Sequence, residues 1–389
     1  MNALVYADSN ATTVPATEVL AAVTDCLRQV WGNPSSKHRA GDAARARLGE
    51  ARSRVAALVG AHPSEIVFTS GATESNQLVL AGALLRDPLR RHIVAGATEH
   101  PSILRWLEQS RQWGVRVSLI PVDRDGVTDL DRLRAEMTPQ TALVSLMWVN
   151  NETGVIQPVR EAAEIAASCG VPFHTDAVQA VGRLPVDVRA APFDLLSFSG
   201  HKLHAPKGVG VLWLRKGLVW PAFAAGQQER GRRGGTENVP AIVGLGVAAS
   251  LCQQGLAQDM PQVAQVRDTL EQALSGWAVA VHGGRVARVG NTSHLLFGGI
   301  TAAEIIERLD QQGICVSGGS ACSSHGNEPS HVLQAMGCES VQSLASVRFS
   351  FSRYSTVDEA LQIAQAVRDI LPARPQARKF IQSCYGELP

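Results

Sequence analysis

The sequence predicts an α/β fold: a mainly parallel sheet flanked by helices, followed by a smaller α+β domain. Two observations carry this. Short apolar runs alternate with helix-length segments, which is the pattern of a parallel sheet with helical crossovers, and after about residue 255 longer helical segments with fewer strands take over. The runs EIVFTS (65–70), RHIVAGA (91–97), VRVSLIPV (115–122), TALVSLMWV (141–149), VPFHTDA (171–177), DLLSFSG (194–200) and GVGVLWL (208–214) read as strands. They are apolar on both faces, as buried parallel strands require. Segments 75–86, 101–112, 129–136 and 159–169 read as helices between them. The first dozen residues do not fit the alternation. The expected division is therefore a large domain at 15–255 and a small one built from 1–14 and 256–389.

The chain has 389 residues, 45% hydrophobic and 18% charged, with a formal net charge of +1. So small a charge gives no global field to attract nucleic acid or an anionic membrane. The start, MNALVYADSN, lacks a basic stretch followed by an apolar run. The longest apolar run, Ala241 to Cys252, is a dozen residues with two glycines, too short to cross a bilayer. Seven scattered cysteines, odd in number and without framework spacing, point to a reducing compartment, and cytoplasmic location is expected. The chain has five lysines (Lys37, Lys202, Lys207, Lys216 and Lys379), so chemistry that needs an amine must draw on one of them.

Five segments can carry chemistry. In FTSGATES (68–75) a strand runs through small residues into a helix. Free amides at a helix start suit a phosphate, with Ser70 and Thr73 as added donors; a helix capped by Ser70 or Thr73 with nothing bound is the plainer alternative. In HTDAVQ (174–179) the strand period puts His174 and Asp176 on one face. A buried carboxylate there calls for a cationic partner such as a pyridinium nitrogen; a loop just past the strand is the alternative. SFSGHKLHAPKG (197–208) holds Lys202 and Lys207 after a strand, with Ser199 and His201 close by. A lysine in such company can form a Schiff base, and Lys202 is the better placed of the two. In SGGSACSSHGNEPSH (317–331), Cys322 lies in a Gly/Ser-rich stretch, where an exposed thiol is an odd thing to keep unless its reactivity is used; an unused loop thiol is the plainer alternative. Cys322, His325, His331 and Cys338 stand apart by two, five and six residues, which matches no common zinc spacing, so no metal is expected. Arg348, in SVRFSFSR (346–353), alternates with Val347 and Phe349 on a strand; facing inward it needs an anion, and a substrate carboxylate would serve. Facing solvent, or paired with a neighbouring Glu, it needs none.

Together these motifs resemble the cysteine desulfurases of the NifS/IscS type, fold-type I pyridoxal-phosphate enzymes of aminotransferase-like architecture. YADSNATT (6–13), NPSSKHRAG, FTSGATESN, NNETGVIQP, HTDAVQ, SFSGHK, RGGTEN and GSACSS stand in the family's order up to about residue 353. The resemblance implies conversion of L-cysteine to L-alanine, with sulfur passing to a persulfide on Cys322 and on to an acceptor protein for Fe–S cluster assembly or other sulfur delivery. It makes Lys202 the Schiff-base lysine, Asp176 the partner of the pyridine nitrogen, Gln179 the donor to the ring hydroxyl and His100 the residue stacked on the ring. Thr73, Ser199 and His201 become phosphate ligands, with Thr236 reaching across a homodimer to the same group. Asn151 and Arg348 become holders of the substrate carboxylate. The stretch around Cys322 resembles the family's longer-loop branch. Ala205 stands where the family has Gly, and Gln77 where it often has Asn. The tail RKFIQSCYGELP is unlike the scaffold-docking tail of the housekeeping branch. A selenocysteine lyase and a non-catalytic partner protein are the competing readings.

Overall fold

The structure, a computed structural model, describes residues 4–319 and 328–371. Cys322 and the C-terminal tail lie outside the described residues. In chain order the strands are β1 (Val5–Tyr6), β2 (Ile66–Thr69), β3 (His92–Gly96), β4 (Arg116–Ile120), β5 (Thr141–Ser145), β6 (Phe173–Asp176), β7 (Leu195–Ser199), β8 (Gly210–Leu214), β9 (Ala278–Val281), β10 (Thr292–Phe297), β11 (Ile314–Cys315), β12 (Ser317–Gly318) and β13 (Ser346–Ser350).

Each of the seven apolar runs contributes a strand to one seven-stranded sheet, ordered β2-β8-β7-β6-β5-β3-β4. Pairing is parallel among β3 to β7, and β8 runs antiparallel to both its neighbours. Helices cover both faces, so every residue of β3, β5, β6, β7 and β8 is buried; β4, at the edge, is half exposed. Phe173, Phe198 and Trp213 fill one face with Leu196 and Ile66, while Val67, Leu80, Ile93 and Leu212 fill the other.

A second core gathers Val5, Ala7, Leu295, Phe297, Val347, Phe349 and Ile363 around the antiparallel sheet β12-β13-β10-β9. The N-terminal segment enters this core because β1 pairs in parallel with β11. Helix Val239–Ala273 runs through both cores without a break near residue 255: Ile242, Leu245 and Ala248 pack in the first, Val263, Val266 and Leu270 in the second. The apolar run read as a dozen residues thus belongs to a 35-residue helix, which by length and composition alone could cross a membrane. Its apolar side chains are taken up by the two protein cores instead.

Helix Ala72–Arg86 begins three residues earlier than the sequence suggested. Its N-cap is Gly71, which has no side chain to offer, so neither Ser70 nor Thr73 caps the helix. The parallel strands β3, β5, β6 and β7 present their carboxyl ends to one edge of the sheet, where ligands of open α/β sheets bind. Residues 8–13 and β13 of the second core close over that edge.

Candidate active site

The cavity at this edge has a volume of about 620 Å³. Lys202 and Asp176 line it together with His100, Gln179, Ser199 and His201. Thr73, Asn151 and Arg348 line it as well, as does Lys207, the weaker lysine candidate. These ten residues, all singled out by the sequence reading and spread over some 275 positions, therefore face one space. Thr236 does not: within the single chain it lines a smaller adjoining cleft with Arg233 and Asn238, which shares Ser70 and Gly208 with the main cavity. Ala205 and Gln77, the two departures from the family pattern, do not line the cavity.

Each wall has a local cause. The turn after β2 delivers the uncapped start of helix Ala72–Arg86, whose first amides have no intrahelical acceptor. The turn lies tight against β8: a Cβ on Gly210 would sit 2.5 Å from the Cα of Gly71. Asp176 ends β6 and is buried. Its Oδ1 accepts from the amide of Val178 at 3.0 Å and its Oδ2 from Asn76 Nδ2 at 2.8 Å. Asn76 Nδ2 also donates to Ser102 Oγ at 3.0 Å. Ser102, in turn, donates to His100 Nδ1 from its amide at 3.1 Å and its hydroxyl at 2.9 Å. An amide can only donate, so Nδ1 is the acceptor and the neutral ring carries its proton on Nε2. Burial holds the His100 pKa below the usual histidine value, so this neutral form prevails near pH 7.

Lys202 leaves the short turn after β7 and donates to the backbone carbonyls of Asn10 and, at 2.7 Å, Ala11. Asn10 O also accepts from Gln179 Nε2 at 3.1 Å, while Gln179 Oε1 is buried and has no partner among the described residues. His201 pairs with Thr12 Oγ1 at 3.1 Å. Burial, reinforced by Lys202, brings the His201 pKa down to about 4, so the ring is neutral at pH 7. Arg348 points inward from β13 and pairs with Asp8 at 2.9 Å, rather than facing solvent or meeting a neighbouring Glu.

Two further acids flank the cavity. Glu99 accepts from the Met147 amide at 2.5 Å, and Glu152 from Ser330 Oγ at 2.5 Å. Burial raises both pKa values, and Asp176 adds to the effect at Glu99. Lys202, Lys207 and Arg348 bring three cationic side chains to the same lining.

Sequence reasoning missed Asp8, Asn10, Asn76, Glu99 and Glu152. Asp8, Asn10, Asn76 and Glu152 lie inside the motifs YADSNATT, FTSGATESN and NNETGVIQP, and Glu99 directly precedes His100. The signal was present in the motifs, but nothing local says which polar member turns inward.

The donor set fits pyridoxal phosphate. The uncapped helix start suits a phosphate, the buried Asp176 a cationic ring nitrogen and Lys202 an aldehyde carbon, while the orphaned Gln179 oxygen would accept from a ring hydroxyl, where the resemblance had made Gln179 its donor. The aminotransferase class-V family matches the chain over residues 5–363. A cysteine desulfurase of Cereibacter sphaeroides is 46% identical over 377 residues, covering 95% of this chain and 97% of that protein. A solved NifS-like protein superposes with a TM-score of 0.89 at 33% identity, covering 95% of this chain and 99% of the other. SspA, solved in complex with cysteine, gives 0.79 at 32% identity, covering 90% and 99%. Over almost its whole length the chain therefore belongs to the class-V aminotransferase family, among its pyridoxal-phosphate-dependent cysteine desulfurases.

Proposed function

We propose that this protein converts L-cysteine to L-alanine and passes the sulfur to Cys322 as a persulfide, with the cavity residues in the following roles. The observation that carries this is the convergence of Lys202, Asp176, the uncapped helix start and the buried Arg348 on one space. Lys202 holds the cofactor. Asp176, kept in place by Asn76 and the Val178 amide, would stand against its ring nitrogen. Gln179 would meet the ring hydroxyl, and His100 would lie against the ring. Thr73, Ser199, His201 and the first amides of helix Ala72–Arg86 hold the phosphate, with Thr236 joining them from a partner subunit in a homodimer. Bound pyridoxal phosphate supplies an electron sink for the charge left at the substrate Cα.

The chain's own groups do the rest. Arg348 and Asn151 bind the substrate carboxylate. Lys202 takes the Cα proton and later returns it. His100, with its proton on Nε2, exchanges protons with the substrate thiol. The Cys322 thiolate attacks the substrate sulfur: an S–S bond forms, the C–S bond breaks, and the carbon takes up a proton to become the alanine methyl group. The thiol hydrogen of Cys322 balances that proton. The persulfide then serves an acceptor protein in Fe–S cluster assembly or another sulfur-delivery route, in the cytoplasm.

The test is to incubate the purified protein with L-cysteine and a thiol reductant and quantify alanine and sulfide together. Equal amounts, lost in Cys322→Ala while the cofactor stays bound, are expected. Persulfide formation at the normal rate in Cys322→Ala would overturn the mechanism.

A further inference from the structure

Arg348 is only 1% exposed, one of the largest fully buried side chains among the described residues. Its Nη1 donates to the carbonyls of Asn151 at 3.1 Å and Gly319 at 3.0 Å, and its Nη2 to Asp8 Oδ1 at 2.9 Å. Among the described residues its Nε has no partner. Asp8 is the acid that forms an ion pair with this guanidinium among the described residues. Glu152 lies in the same field, and burial raises its pKa, which disfavours its charged form. Arg183, also nearby, adds positive charge.

Asp8 does not owe this position to a loose loop. Ser350 N donates to Ala7 O at 2.8 Å and Ser9 N to Ser350 O at 2.9 Å, so the backbone of residues 7–9 is laced to the strand that carries Arg348. Arg348 lines the cavity and Asp8 does not. The guanidinium thus stands between an internal carboxylate and the space where ligands bind.

A guanidinium this deep is costly unless paired, and Asp8 supplies the pairing. A ligand carboxylate reaching Arg348 therefore meets a charge that is already compensated, and gains less than it would from a bare cation. We propose that Asp8 is the resident counter-ion of Arg348, weakening its hold on α-carboxylates so that the product amino acid can leave. This rests on the reading of Arg348 as the carboxylate holder.

A counter-ion and a mere orienting group predict opposite signs. Asp8→Asn keeps an oxygen that can accept from Nη2 but removes the charge. If Asp8 acts as a counter-ion, the ligand carboxylate becomes the sole anion on Arg348 and binds more tightly. If Asp8 only orients the guanidinium, the weaker hydrogen bond loosens the site. The experiment is to titrate the holoenzyme with L-alanine and with L-alaninamide, following the cofactor absorbance. In Asp8→Asn the Kd for L-alanine should fall about tenfold, from one compensating charge at several ångströms in a screened site, with the Kd for the amide unchanged. An unchanged or higher Kd for L-alanine overturns the proposal. Arg348→Gln separates the two layers: it should weaken L-alanine and erase the preference over the amide, and if it does neither, the role of Arg348 is what fails. Should Asp8→Asn not fold, the wild-type protein still decides. A preference for L-alanine over its amide of less than about tenfold is expected, and one of about a hundredfold would mean that Arg348 acts as an uncompensated cation.

Discussion

Asn76 is wholly buried, and both hydrogens of its amide are used, one on Asp176 Oδ2 at 2.8 Å and one on Ser102 Oγ at 3.0 Å. Its Oδ1 has no partner. Two replacements of similar size separate what this amide does. Asn76→Leu removes the donor to a buried carboxylate, a hydrogen bond to a charged group worth about 1.5–3 kcal/mol. It also removes the orphaned oxygen, which places the net loss toward the lower end of that range. Asn76→Asp removes the same donor and sets a second carboxyl beside Asp176. Two charges about 4 Å apart repel by roughly 4 kcal/mol at an effective dielectric constant near 20. The new carboxyl would therefore take up a proton in the folded state, with its pKa raised above the unfolded value. The sign follows: a group raised on folding favours the folded state at low pH and loses that contribution as pH rises. Urea unfolding of the cofactor-free protein, followed by tryptophan fluorescence at pH 5 and pH 8, reads this out. Both variants should be less stable than the parent, and the deficit of Asn76→Asp should grow from pH 5 to pH 8 while that of Asn76→Leu stays level. Equal midpoints for the two variants at pH 8 would refute the placement of this amide against an ionised Asp176.

Three other outcomes follow from the same structure. Gly210→Ala drives a Cβ into the backbone of Gly71, at 2.5 Å from its Cα. An overpacking cost of about 1–3 kcal/mol is expected, with weaker cofactor binding measured by equilibrium dialysis because the displaced turn starts helix Ala72–Arg86. Glu229→Gln breaks the paired bonds of Glu229 to Arg52 at 2.6 and 2.7 Å and leaves a guanidinium buried without its anion, so unfolding should come about 3–5 kcal/mol sooner in a denaturant titration. Burial pushes His174, held between Ser145 and Ser197, down to about 3, and His92 down to about 4. The unfolded chain protonates these rings near pH 6.5 and the folded chain far lower. Their contribution is thus complete above about pH 6.5 and is lost as pH falls toward 4 and below. Urea midpoints measured from pH 7 down to pH 4 should drop, and His174→Gln should flatten that slope.

The sheet was legible because burial on both faces forces a continuous apolar run, and such runs stand out in sequence without knowledge of their partners. Helix Ala72–Arg86 was misjudged at its start because its N-cap position is Gly71, which has no side chain, where a sequence reader looks for a side-chain oxygen. Helix Val239–Ala273 was underread because it changes cores midway, so its apolar side chains do not keep to one face.

Within the site, the sequence by itself determined the chemical inventory: one lysine placed just after a strand, an acid at a strand end, a small-residue turn before a helix, and an arginine within an apolar strand. Those choices are local, fixed by strand and helix periodicity and by which residue types can do the chemistry. Only the tertiary structure decided the pairings. Asp8 meets Arg348 across 340 positions, Asn76 meets Asp176 across 100, and the carbonyls of Asn10 and Ala11 meet Lys202 across 192 and 191. Hydrogen bonds and ion pairs act over a few ångströms, and contacts between residues so far apart in the chain arise only once two cores have packed and brought their edges together.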